Sequence, residues 1–253
     1  MRNQILSGLI ICLLAGVATR GEESESLLSP ANQQKLNSSN ELGAEYMRLF
    51  QAGKVAEAIE PARKSLALLE SVFGPEDPRI VDSLDNLAGF YKLTGRFADA
   101  LPLRQRVAEI LEKHRGLNDP PTVQKLNNLA TIYFELGKFA LAEVALRRAI
   151  SGAEAAYGAD HPELAVSLSN LALACDSQAK YVDAESFYAR ALRIQEKAFG
   201  TSDVRVAVTV NNLAGLYEMQ GDLPKAEAAF RRALKIREAC LPPTDPAIAE
   251  SRM

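Results

Sequence analysis

Over most of the chain, apolar residues recur at i, i+3, i+4 and i+7, the spacing that gathers them on one face of an α-helix. Leu84, Leu87, Ala88 and Tyr91 form one such face; Ala100, Leu103, Val107, Ile110 and Leu111 form the next. Punctuation between them is equally regular. Asp77 before Pro78 reads as an N-cap with proline at the first helical position. Gly95 ends the first helix, since glycine tolerates positive φ, and Gly116 closes the second before Asp119-Pro120 opens another. The pattern predicts helix, turn, helix, each helix of about 17 residues, or roughly 25 Å at 1.5 Å per residue.

The pattern then repeats. Asn-Leu-Ala occurs at Asn86, Asn128, Asn170 and Asn212, always 42 residues apart. Gly74, Gly116, Gly158 and Gly200 keep the same period, as do Gly53, Gly95, Gly137 and Gly221, with Ala179 in the fourth place of that column. Ala58, Ala100, Ala142, Ala184 and Ala226 form another column. A small residue at 88, 130, 172 and 214 lets paired helices approach closely, and Tyr91, Tyr133 and Tyr217 fill the space beside it, with Cys175 as the exception. An uninterrupted period in this range predicts a solenoid.

Val210-x2-Leu213-Ala214-x2-Tyr217, followed by Ala226-x3-Phe230 and Ala233, resembles the tetratricopeptide repeat (TPR). The period and the recurring Asn-Leu-Ala, Tyr, Gly, Ala order resemble the longer-helix subclass seen in kinesin light chains and many bacterial proteins. The resemblance covers residues 40–246. It implies an all-α protein, a right-handed α-solenoid of about five helix-turn-helix units. The expected units are 40–78, 79–120, 121–162, 163–204 and 205–246, with a partial unit at 247–253. The first is atypical, with Glu45 in the leucine column and Leu49 in the tyrosine column, as a capping unit should be. Asp245-Pro246 opens another helix, and the next ladder asparagine would be residue 254. Either the chain is the N-terminal recognition arm of a longer peptidase or signalling protein, or this end pairs with a partner or a second copy.

The N-terminus follows a different plan. Arg2, an apolar run over residues 5–18, and small Gly16 and Ala18 make the three parts of a secretory signal peptide, cleaved after Ala18. Residues 19–39 are polar and read as a linker, with a glycosylation-type triplet at Asn37-Ser38-Ser39. The mature protein is expected to be secreted or periplasmic, without membrane insertion.

A net charge of −3 and a pI near 5.6 give no reason to expect nucleic acid as a partner. Cys12, Cys175 and Cys240 do not make a disulfide framework, and the last two are expected to be buried or half-buried thiols. His114 and His161 are not spaced with cysteine as zinc ligands would be. No phosphate loop, HExxH, GxSxG or CxxC occurs, so no catalytic residue, metal or cofactor is expected. The resemblance places the first helix of each unit on a concave groove. Candidate peptide-binding residues there are Asn86, Asn128, Asn170 and Asn212, with Asp85, Asn127, Ser169 and Asn211 in the row before. Each asparagine offers a donor and an acceptor, so a row of them suits a peptide backbone; equally, it could bond neighbouring backbone between units. Lys92, Phe134, Asp176 and Glu218 stand one turn further on, Phe134 as a hydrophobic anchor or a lid on the core. The expected activity is a non-enzymatic scaffold for a protein or peptide segment.

Overall fold

The computed structural model describes residues 28–242 together with Thr244, Asp245 and Ile248. The expected signal peptide, the first part of the linker and most of the partial unit lie outside these residues. Among the described residues the structure is all-helical, with ten α-helices, one 3-10 turn and no strand. A division between Ser83 and Leu84 separates two compact units.

The first unit pairs α1 (Pro30–Gln51) with α2 (Val55–Phe73) and ends in the 3-10 turn Pro78–Ile80. Helix α1 begins well inside the stretch read as linker. The Ser29 hydroxyl accepts the Asn32 N–H at 3.3 Å, and Pro30 opens the first turn. Leu36, Ser39 and Tyr46 are then buried, so this polar-looking segment has a core face after all. In the buried seam the Ser39 and Ser65 hydroxyls lie 2.8 Å apart. The triplet at Asn37 therefore sits mid-helix with its Ser39 hydroxyl sealed inside. Tyr46 stands where later units have alanine and is buried at 7% exposure, which suits a unit whose partner helix offers small Ala62 and Ser65.

The second unit continues with α3 (Val81–Leu93), α4 (Phe97–Arg115), α5 (Pro120–Glu135), α6 (Phe139–Tyr157), α7 (Leu164–Asp176), α8 (Tyr181–Phe199), α9 (Val204–Met219) and α10 (Leu223–Cys240). First helices are shorter than expected, 13 to 16 residues, and second helices longer, 18 or 19. The joints explain the difference. Asp119 and Asp203 accept N–H groups at the starts of α5 and α9. At α7 the equivalent residue is His161, whose Nδ1 accepts the Glu163 N–H at 3.3 Å, and regular helix starts only at Leu164. Stacking of His161 on Tyr157, centroids 4.6 Å apart, holds that joint; Arg205 over Phe199 at 3.3 Å holds the next.

Ala100, Ala142 and Ala184, with Ala88, Ala172 and Ala214, are wholly buried, as close helix approach requires. Leu126, Leu146, Leu168, Leu171, Tyr188 and Leu216 fill the core between them. Tyr133 keeps its hydroxyl at the core edge, accepting from Gln105 Nε2 at 3.0 Å, and the Tyr217 hydroxyl donates to Glu185 at 3.0 Å. Cys175 replaces the tyrosine without any hydroxyl and is fully buried. Cys240, expected to be at least half-buried, is exposed; it follows the last full core turn of α10, at a helix end.

The two glycine columns differ in kind. Gly95, Gly137 and Gly221 have φ of 67–78°, and Ala179 in the same column has φ 58°. An L-residue reaches that left-handed region at a cost of about 1–2 kcal/mol. Gly116, Gly158 and Gly200 have φ of 84–88° with ψ of 161–168°, a region essentially closed to side chains. Alanine is therefore admitted within a helix pair but not between pairs. Gly152 has another reason to be small. The other second helices of this unit carry Ile110, Ile194 and Ile236 at this place, whereas a Cβ on Gly152 would lie 2.2 Å from the Leu117 carbonyl oxygen. Leu117 packs on the core from its loop and takes up the space an isoleucine fills elsewhere.

Candidate functional site

Asn128, Asn170 and Asn212 lie in the middle of α5, α7 and α9, half-buried, one residue ahead of a buried leucine. Among the described residues their side-chain amides make no hydrogen bond to the protein. Asn86 is half-buried at the same place in α3 but is already engaged. A half-buried primary amide carries two donors and two acceptor lone pairs, so the three offer a row of unfilled hydrogen-bonding capacity.

The row one residue earlier is spent on the structure. The Asp85 carboxylate accepts from Lys125 Nζ at 3.0 Å and from Arg104. Asn127 Oδ1 accepts the Ser167 hydroxyl at 2.9 Å, while its Nδ2 donates to the Val123 carbonyl at 3.1 Å. Ser169 and Thr209 hydroxyls lie 3.4 Å apart. Each link joins a residue to one 40 positions later. Together they rivet α3 to α5, α5 to α7 and α7 to α9. Asn211 has a longer contact, accepting from Arg237 at 3.5 Å. Asp85, Asn127 and Asn211, expected to face a ligand, thus have intramolecular partners, because side chains one residue nearer the adjoining helix meet it directly. Phe134 is half-buried, packs on the core and sits 5.8 Å from the Phe139 ring, tilted.

A second ladder runs along the second helices. Glu112 pairs with Arg148, Glu154 with Arg190 at 2.7 Å, and Glu196 with Arg232, each across 36 residues. In the sequence, charges at helical spacing like these read as an ordinary solvated surface. Their signal was present as strict glutamate and arginine columns at the repeat period. The partners are partly exposed, so each pair contributes up to about 1 kcal/mol.

Titratable groups in the unit are tuned by packing. Glu143 on α6 accepts from Lys180 at 2.7 Å and Gln178 at 3.0 Å, and pairs with Arg147 at 2.9 Å. The Lys180 hydrogen bond, helped by Arg147 and Gln178, holds its carboxyl down at about 2. Burial, then the nearby Glu143 charge, pushes the Cys175 thiol up to about 11, which removes thiolate reactivity at neutral pH. Burial also raises the Asp176 carboxyl above its usual range. Among the described residues no group of three histidine, cysteine or acidic side chains is arranged to hold a metal, and no helix is long and apolar enough to cross a membrane.

A tetratricopeptide-repeat family profile matches residues 49–113, 121–197 and 177–239. No curated protein sequence matches the chain significantly. Among solved structures, the chain is similar to a Podosopora anserina protein of nearly identical kinesin-light-chain TPR-like repeats. The TM-score is 0.69 and the identity 21%, over 81% of this chain and 99% of that one. BtubC (BKLC) from P. vanneervenii gives 0.59 at 24% identity, over 86% and 96%. The apo form of RapI gives 0.72 at 15% identity, over 91% of this chain and 60% of that one. Likeness at these identities speaks for the fold alone, a TPR-like solenoid. With the profile covering most of the array and the helix pairs, small-residue columns and joints repeating in register, the chain belongs to the tetratricopeptide repeat family.

Proposed function

We propose that this chain is a non-enzymatic, extracytoplasmic scaffold that binds an extended peptide or protein segment across the first helices of its repeats. The observation that carries the reading is the row of open amides at Asn128, Asn170 and Asn212, beside a row whose polar groups are filled. An extended main chain is itself a periodic array of donors and acceptors, and matches such a row whatever its side chains. The extracytoplasmic part rests on the signal-peptide plan of residues 1–18 alone.

Screening a library of extended peptides for binding to the protein, then repeating the measurement with Asn128→Ala and Asn170→Ala combined, tests the site. A loss of about 1–3 kcal/mol in affinity is expected, as bound peptide groups lose their partners. Unchanged binding by a folded double variant would make the amides structural. Intact mass of the native protein in separated cell fractions tests the location. Cleavage after Ala18 takes about 2 kDa from the 27.5 kDa chain, at roughly 110 Da per residue. Recovery of that species outside the cytoplasm supports the reading. A much larger species would make these repeats the recognition arm of a longer protein.

A further inference from the structure

We propose that the face shared by α5, α7 and α9 takes an extended segment bearing a lysine or arginine at every third position with apolar residues between. The proposal deepens the peptide-binding reading above and rests on it.

Two observations meet on these helices, an apolar side and the carboxylates that border it. The first is apolar. Val166 (60% exposed) and Leu173 (40%) on α7, with Val208 (49%) and Met219 (67%) on α9, point away from the core. Positions 166, 170, 173 and 177 fall on one side of a helix. The Ser169–Thr209 and Asn127–Ser167 contacts lay α5, α7 and α9 side by side along it. Single exposed apolar residues are ordinary. Here four cluster on neighbouring helices around the open amides of Asn170 and Asn212.

The second is electrostatic. Asp176 ends α7 and Glu218 lies in the last turn of α9, at equivalent places one repeat apart, yet neither last turn holds a basic residue. Among the described residues these two carboxylates form no ion pair. The following Lys180 and Lys225 are held by Glu143 and Asp222. A carboxylate at a helix C-terminus meets the negative end of the helix dipole and is unfavourable there. Repeating that cost in two successive repeats leaves two sites where a cation gains from both the carboxylate and the dipole. Asp176 is half-buried, so water screens it less. Lysine and arginine match the combination, with an apolar stem for Val166, Leu173 and Val208 and a cationic head for the carboxylates.

Spacing supplies the period. Packed helices lie about 8–10 Å apart. A polyproline-type extended chain turns every three residues and rises about 3.1 Å per residue, or about 9 Å per turn. Every third side chain therefore meets the same place on the next helix.

The test uses two fluorescently labelled peptides, Lys-Pro-Leu repeated four times and Glu-Pro-Leu repeated four times, titrated with the whole protein at low ionic strength. The lysine peptide is expected to bind at least about tenfold more tightly, and more weakly in about 1 M salt, where charges are screened. Asp176→Asn with Glu218→Gln should abolish that preference, and Val166→Ser with Leu173→Ser should weaken both peptides. These side chains are exposed or unpaired, so circular dichroism should show folded variants. Equal or tighter binding of the glutamate peptide overturns the cationic preference and leaves peptide binding standing. Binding of neither peptide, while the library screen yields a ligand, overturns the proposal alone; failure of both overturns the two readings together.

Discussion

Neighbouring asparagines in α5 should behave oppositely when each is changed to alanine. Asn127 holds the Ser167 hydroxyl at 2.9 Å, and Ser167 is 1% exposed. Asn127→Ala removes one hydrogen bond, worth about 1 kcal/mol net, and orphans a buried hydroxyl at about 1–3 kcal/mol. Alanine's better helix propensity returns about half a kcal/mol. The balance is a loss of about 2 kcal/mol, or about 4–8 °C in melting temperature for a protein of this size. Asn128 has no protein partner, so Asn128→Ala should lie within about 0.5 kcal/mol of the parent while weakening peptide binding. Thermal or urea unfolding by circular dichroism measures the first effect, with hydrogen exchange in α5 and α7 to localise it, because repeat arrays do not always unfold in one step. Adding Ser167→Ala to Asn127→Ala should recover part of the loss, since both partners of a buried bond are then gone. Equal costs for Asn127→Ala and Asn128→Ala would refute the assignment of one row to the stack and the other to a ligand.

Three further outcomes follow from the joints and the charges. Ala179→Gly should stabilise by about 0.5–1 kcal/mol, the relief of about 1–2 kcal/mol of left-handed strain less about 0.4–1 kcal/mol of added unfolded-state freedom; a lower melting temperature would contradict it. Gly158→Ala should cost about 1–3 kcal/mol and clearly more than Gly137→Ala, whose backbone region alanine can reach; a reversed order in unfolding experiments would discredit the two-column distinction. Glu143 has its carboxyl lowered from 4.5 to about 2, so its ion-pair stability is full above pH 4.5 and is lost as pH falls toward 2. Glu143→Gln should therefore cost about 1–2 kcal/mol at pH 7, discounted because Arg147 and Lys180 are half exposed, and the gap to the parent should close between pH 4.5 and 2; a constant gap in pH-dependent unfolding would exclude the mechanism.

By itself the sequence determined the repeating part of this protein. Helix identity, the 42-residue period, the buried Ala100–Ala142–Ala184 column and the two glycine columns are local facts. They follow from helical geometry and backbone sterics, which act within a few residues and leave a periodic trace. What the tertiary structure decided lies between distant segments. That Asn127 is riveted to Ser167 while adjacent Asn128 is open depends on which side of α5 meets α7, a rotation of about 100° per residue that the letters do not reveal. That the polar stretch from residue 30 has a buried side emerges only where Ser39 meets Ser65 across the helix pair. Gly152 is explained only by Leu117 reaching it from a loop. The glutamate–arginine ladder was written in the sequence as columns but could not be told from a solvated surface until second helices lay side by side. Local chemistry sets the unit. The contacts that one helix makes with the next, through side chains far apart in the chain, set which of its polar groups remain for a partner.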